Sequence, residues 1–131
     1  MHVVVGGAHN GKRAYVRELI GTDEDYLFAD RPEMIDALPD CEKVVVANIE
    51  EWLLQTKLSE AEAISHILKI TEGREVIFIL TDIGRGIVPM DAEQRRVRDA
   101  CGRLYQRLFR EANVVTRVWY GLPQTLKKRG E

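Results

Sequence analysis

Five short apolar, β-branched runs punctuate this chain of 131 residues: HVVVG, YLFAD, KVVVANI, EVIFIL and NVVTRVWYG. In VVV and VIFIL the apolar residues are continuous and do not alternate with polar ones. A strand can be apolar on both sides when both faces of its sheet are covered, as in parallel sheets flanked by helices. The segments between the runs carry helical signals. Lys12 to Ile20 suits a helix that stops at Gly21. Asp30 and Glu33 in DRPEM have the spacing of a capping box, with Pro32 accommodated in the first turn. Ser59 and Glu62 repeat that spacing ahead of Ile64, Ile67 and Leu68, and Gly73 ends the pattern. The longest helix is predicted from about Asp91 to Ala112. Its apolar stripe is Val97, Cys101, Leu104 and Leu108, widened by Ala100, Tyr105 and Phe109. Strand and helix alternate throughout, which predicts an α/β fold: a doubly wound, mostly parallel sheet with helices on both faces.

One domain spanning residues 1–131 accounts for this pattern, since no repeat, low-complexity stretch or linker interrupts it. The tail KKRGE is expected to fray. A chain of this length buries roughly two-thirds of the surface it exposes when unfolded, enough for a core without metal or disulfide staples. Its 19 basic and 21 acidic side chains give a net charge of -2. A nucleic-acid binder relies on a basic surface, so that class is disfavoured. Cys41 and Cys101 are too few and too isolated for a zinc pattern or a secreted disulfide framework. The start MHVVVGG has no basic head or long apolar run, and nothing approaches the roughly 20 apolar residues of a membrane span. A cytoplasmic location is expected.

Directly after the first strand, Gly6 to Arg13 reads GGAHNGKR. The phosphate-binding loop follows G-x-x-x-x-G-K-[S/T], and Gly6, Gly11 and Lys12 stand where that pattern requires them. Glycines in such a loop let backbone N–H groups turn toward an anion between a strand and a helix N-terminus. Gly6, Gly7, Ala8, His9, Asn10, Gly11, Lys12 and Arg13 are therefore the candidate nucleotide-binding segment, with Lys12 as the catalytic cation. The plainer alternative is a glycine turn leading into a solvated basic helix start. Arg13 stands where a hydroxyl normally holds Mg²⁺, and a guanidinium only donates. The metal would then be held by phosphates and water alone or by another acid, or Arg13 would replace part of its charge. Asp82, at the tip of VIFILT, is the candidate metal-linked acid and second catalytic residue, or else a turn cap.

Residues 82 to 107 read DIGRGIVPMDAEQRRVRDACGRLYQR. Here the chain resembles the bifunctional adenosylcobinamide kinase and adenosylcobinamide-phosphate guanylyltransferase family of cobalamin biosynthesis. That family has an N-E-V-G-x-G-I-V-P turn followed by an R-D-x-x-G-R-x-x-Q-R helix. Gly84, Gly86, Ile87, Val88 and Pro89 match the turn, and Asp82 stands at its Glu. Arg98, Asp99, Gly102, Arg103, Gln106 and Arg107 match the helix, and GGAHNGK fits the family's opening loop. The likeness covers residues 1–30 and about 76–122, with the middle weaker. It implies a RecA-like P-loop fold, assembly as a homotrimer, and ATP or GTP with Mg²⁺ as nucleotide and cofactor. It also implies phosphorylation of the aminopropanol hydroxyl of a cobinamide-type corrinoid, followed by GMP transfer through a guanylyl-histidine. Three departures stand beside these matches. The segment that carries the guanylylated His in the family is replaced here by EMIDALPDCE, which has no His. Ala47 stands where the family has an acid near the end of its third strand. Arg13 replaces the loop hydroxyl.

Other residues have two readings each. The arginines at 95, 96, 98, 103, 107 and 110 form a solvated helix face, or Arg98 and Arg103 make a trimer contact or anion clamp. Asp99 and Arg103 have the spacing to pair along the helix. Glu50 and Glu51 follow the third strand, as substitutes for the missing acid or as first-turn helix acids. Trp52 and Trp119 read as packing residues, and His66 as a helix-flank histidine. The resulting expectation is a cobinamide-kinase-like P-loop enzyme without guanylyltransferase activity. A non-catalytic nucleotide- or corrinoid-binding relative, acting as partner or sensor, is the alternative.

Overall fold

Strands and helices alternate along the chain except for two consecutive helices before the fourth strand and two consecutive strands at the end. The computed structural model describes residues 1–7, 11–82 and 91–129. Its elements are β1 (His2–Gly6), α1 (Lys12–Ile20), β2 (Tyr26–Ala29), α2 (Pro32–Asp36), β3 (Lys43–Ala47) and α3 (Ile49–Gln55). They continue with α4 (Glu60–Ile70), β4 (Glu75–Thr81), α5 (Ala92–Glu111), β5 (Val114–Trp119) and β6 (Leu122–Lys128). The strands form one six-stranded sheet in the order β2-β3-β4-β1-β5-β6. All neighbours are parallel except β5 and β6. The predicted α/β, mostly parallel architecture is the one observed.

The continuous apolar runs are explained by burial on two sides. Val44, Val46, Phe78 and Leu80 face one core with Ile49 and Trp52 of α3, Ile67 of α4, and Leu104 and Leu108 of α5. Val45, Ala47, Ile77 and Ile79 face the other core, which α1 covers with Val16. Successive residues of VVV thus alternate between two apolar layers, so polar residues have no place in it. α4 opens with the expected capping box. Ser59 Oγ accepts from the Glu62 N–H at 3.2 Å, and Glu62 Oε1 accepts from the Ser59 N–H at 2.9 Å. Asp91 and Gln94 form a second box at the start of α5, whose extent matches the stripe that predicted it.

Several local expectations are corrected. Asp30 does not cap α2. The N-cap is Arg31, with Pro32 opening the helix, and the Asp30 carboxylate accepts from Arg13 Nη1 at 3.3 Å. A charge partner on α1 outcompetes a neutral backbone donor. Asp99 does not pair with Arg103, which makes two 2.6 Å bonds to both Glu60 oxygens on α4. A fork-shaped guanidinium matches a carboxylate held squarely across the helix pair better than one on its own helix. The tail does not fray at Lys127 and Lys128, which belong to β6. Lys127 Nζ donates to the carbonyls of Phe109 and Arg110 at 3.0 and 2.8 Å, and Arg129 Nη2 donates to Arg110 O at 3.1 Å. These cations satisfy carbonyls at the C-terminal end of α5, where the helix dipole favours positive charge.

Candidate functional site

β1 lies between β4 and β5, so the chain leaves it in one direction to β2 and returns across it from β4 to β5. Ligands of such sheets bind beyond the carboxyl ends of the strands at this reversal. Gly6 and Thr81 are register partners there, and the Asp82 N–H donates to Gly6 O at 2.8 Å. Gly6, Gly7, Asp82, Tyr105, Arg117 and Trp119 are among the residues that line a pocket of about 470 Å³ at this edge.

α1 begins at once after the loop. Gly11 has φ 87 at its N-cap, a left-handed conformation that glycine adopts at little cost. Lys12 follows and is buried, with only 7% of its surface exposed. Its Nζ donates to Gly7 O at 2.6 Å. Burial lowers the Lys12 pKa, the negative charge of Glu50 works against that shift, and Arg13 adds to it. An ammonium group held under desolvation and aimed at the first glycines of the loop gains from an incoming anion. Arg13 turns away toward Asp30, at the end of β2. Ala8, His9 and Asn10, and the matched turn of Gly84, Gly86, Ile87, Val88 and Pro89, lie outside the described residues.

The third strand reaches the same end. Ala47 is buried in the α1-side core, so no acid occupies the tip of β3. Asn48 takes φ 63 and turns the chain into α3, with its Nδ2 donating to Asp30 O at 2.8 Å. Glu50 then places one carboxylate oxygen in a buried position without a hydrogen-bond partner among the described residues. On α5, Tyr105 Oη donates to Thr81 O at 3.1 Å. Burial, reinforced by the neighbouring Cys101, raises the Tyr105 pKa strongly, so this phenol remains a donor. Burial also pushes the Cys101 thiol up to about 11, which makes it an inert core group.

Of the candidate residues, Gly6, Gly7, Gly11, Lys12 and Asp82 lie together beyond the carboxyl ends of the strands. Sequence reading missed the β5–β6 side. Trp119 is half exposed and is no core residue, unlike the fully buried Trp52. The Arg117 guanidinium carbon lies 4.4 Å from the Trp119 ring centroid, and Tyr120 stands beside it on the same pocket. A Cβ on Gly11 would sit 3.2 Å from Gly121 Cα, so the turn between β5 and β6 abuts the end of the loop. The signal was present in WYG, where Gly121 after an aromatic pair marks a turn and not a buried strand end.

A family described as cobinamide kinase / cobinamide phosphate guanyltransferase matches residues 25–126. The chain belongs to this family. The match runs through the middle of the chain, where motif comparison was weak, and begins after the GGAHNGKR loop. The family is enzymatic and of P-loop fold, and membership implies a cobinamide kinase- or guanylyltransferase-like role. A search of curated proteins finds no match to the chain. Among solved structures, a structural-study protein from Pyrococcus horikoshii OT3 is similar at a TM-score of 0.44 and 8% identity. That alignment covers 100% of this chain and 74% of the other. A likeness of that degree carries no argument about function.

P-loop kinases of the family typically use Mg²⁺. The residues present fit such an ion, because Glu50 offers an unpartnered buried oxygen and Asp82 lines the pocket beside Gly6 and Gly7. Among the described residues no three His, Cys, Asp or Glu side chains converge to hold a metal by themselves. Mg²⁺ bound through one or two carboxylates, phosphates and water needs no such cluster. No helix among the described residues is long and apolar enough to cross a membrane.

Proposed function

We propose that this protein binds ATP or GTP at the Gly6–Arg13 loop and transfers the γ-phosphoryl group to the hydroxyl of a cobinamide-type corrinoid. The observation that carries this reading is Lys12, a buried lysine whose ammonium is held on the Gly7 carbonyl at the reversal point of the sheet. On nucleotide binding, Lys12 exchanges that carbonyl for a terminal phosphate oxygen, and the loop amides hold the remaining phosphate charge. Positioning and electrostatic stabilisation supply most of the catalysis in phosphoryl transfer. A bound Mg²⁺ would offset the negative charge of the outer phosphates, and Asp82, the exposed acid of the pocket, would help to hold it. Trp119 and Tyr120, with Arg117 over the Trp119 ring, suit the flat face of a purine base. Isothermal titration with ATP and GTP, with and without Mg²⁺, followed by a cobinamide phosphorylation assay, tests the reading. Absence of nucleotide binding in every condition sinks it. Binding without phosphorylation would favour the alternative of a non-catalytic nucleotide- or corrinoid-binding partner or sensor, which Ala47 at the strand tip supports.

Guanylyl transfer through a histidine is absent in this reading. A phosphoramidate needs an imidazole poised beside the α-phosphate. Residues 30–42, which join β2 to β3, contain no His. His2 begins β1 at the opposite end of the sheet, with its Nε2 2.9 Å from Thr116 Oγ1. His66 on α4 stacks on Trp52 at 5.3 Å and places Nε2 2.7 Å from Ile35 O. Protein incubated with α-labelled GTP should therefore carry no label after denaturing separation. An acid-labile, base-stable GMP adduct would overturn this, and its loss in His9→Ala would identify the nucleophile.

We also infer a homotrimer, on family membership alone, and a cytoplasmic setting. Light scattering at micromolar concentration should give the mass of three chains, and a monomer mass counts against the assembly.

A further inference from the structure

We propose that Glu50 supplies a direct carboxylate ligand to the divalent cation carried by the bound nucleoside triphosphate. The inference rests on the nucleotide-binding reading above and deepens it.

A P-loop site ordinarily holds its cation through a loop hydroxyl and an acid from a strand tip. Arg13 occupies the hydroxyl's place and is drawn to Asp30, while the tip of β3 ends in buried Ala47. The first turn of α3 is fixed independently of any ligand. The left-handed Asn48 is tied to Asp30, its carbonyl accepts from the Glu51 and Trp52 N–H groups, and Trp52 Nε1 donates to Asp36 at 2.6 Å. Side chains of a helix lean toward its N-terminus, so Glu50 is directed back toward the strand ends. Its helix packs against α5, and its charge is felt by Tyr105 and Cys101 there and by Lys12 at the start of α1. One of its oxygens is buried with no donor among the described residues. Such a group costs free energy in the unliganded protein, and a fixed fold retains it where a ligand satisfies it.

A counter-ion for Lys12 is the competing role, and the two predict opposite results. ATP affinity is measured with and without Mg²⁺ for wild type, Glu50→Gln, Glu50→Asp, Asp82→Asn and Arg13→Ser, with thermal melting of each unliganded variant. For a cation ligand, Glu50→Gln lowers the Mg²⁺-induced gain in affinity by about tenfold or more, the usual scale for damage to a metal site. Affinity without Mg²⁺ stays level or rises, because a negative charge has left the neighbourhood of the phosphates. Glu50→Asp keeps part of the gain, and Arg13→Ser, which returns a hydroxyl, enlarges it. Asp82→Asn, acting through water, costs less than Glu50→Gln. With Mn²⁺ in place of Mg²⁺, the paramagnetic resonance signal of protein-bound Mn²⁺·ATP disappears in Glu50→Gln. An unchanged gain in Glu50→Gln, or an equal fall with and without metal, overturns the proposal while leaving nucleotide binding intact. A wild-type protein that binds no ATP in either condition instead removes the nucleotide reading itself.

Discussion

Lys12→Ala should weaken ATP and GTP binding by roughly ten- to a hundredfold, since a hydrogen bond to a charged group contributes about 1.5–3 kcal/mol. The group removed is the cation that donates to Gly7 O at 2.6 Å. Phosphoryl transfer to cobinamide should fall further than affinity, because charge on the transferring group is fully developed only in the transition state. Alanine also deletes the packed lysine stem, so Lys12→Met serves as the partner variant: it keeps most of the stem and removes the charge. Titration of both variants checks the result. If Lys12→Met binds triphosphate as wild type does, the ammonium is a packing accident and the loop is not the nucleotide site.

The strands were legible because burial on two faces leaves a local trace. Val44 to Val46 and Val76 to Leu80 have no polar position to tolerate. β6 left no such trace. Its residues are almost all exposed, it begins Leu-Pro, and it sits at the sheet edge where Pro123 needs no ladder donor. The turn before it was hidden as well. Tyr120 has φ 51 and Gly121 φ 78, the pair of positive values of a two-residue hairpin. Asparagine or glycine usually announces the first of these positions, and here a tyrosine holds it. The site was half legible for a similar reason. GGAHNGK is a local pattern, whereas the pocket wall made by Trp119 and Tyr120 depends on a hairpin folding back beside the loop. Glu50 could be suspected from its place after the third strand, but the orphaned oxygen is a property of how α3 packs against α5. Asp30 shows the converse. Its capping-box spacing was real, yet Arg13 lies close in space and far in sequence, and the ion pair won.

Gly6→Ala should be a severely damaging single-methyl change. Gly6 has no left-handed backbone to defend, so the argument is one of space. A Cβ built there would stand 2.4 Å from the Val118 carbonyl oxygen. That oxygen is backbone on the neighbouring strand β5 and has no rotamer through which to retreat. The same methyl would press on the Lys12 stem, with Cδ at 3.4 Å and Cγ at 3.5 Å. Relief requires β1 and β5 to separate at the end where the pocket opens. Overpacking of this kind costs about 1–3 kcal/mol, and a clash with backbone belongs at the upper end. For a domain of this size that corresponds to a fall in Tm of about 10 °C. Nucleotide affinity should be lost together with stability, because the displacement moves Gly7 and Lys12 as well as the strands. Gly102→Ala is the control: beyond the backbone of its own helix, nothing among the described residues lies within 4 Å of a Cβ at that position on α5. Alanine there should leave Tm unchanged or raise it slightly, by the helix-propensity gain of about 0.5–1 kcal/mol. Melting curves and ATP titrations of the two variants decide the matter. A Gly6→Ala protein with wild-type Tm and affinity would mean that the β1–β5 exit is looser than this packing requires, and that the position of Lys12 does not depend on it.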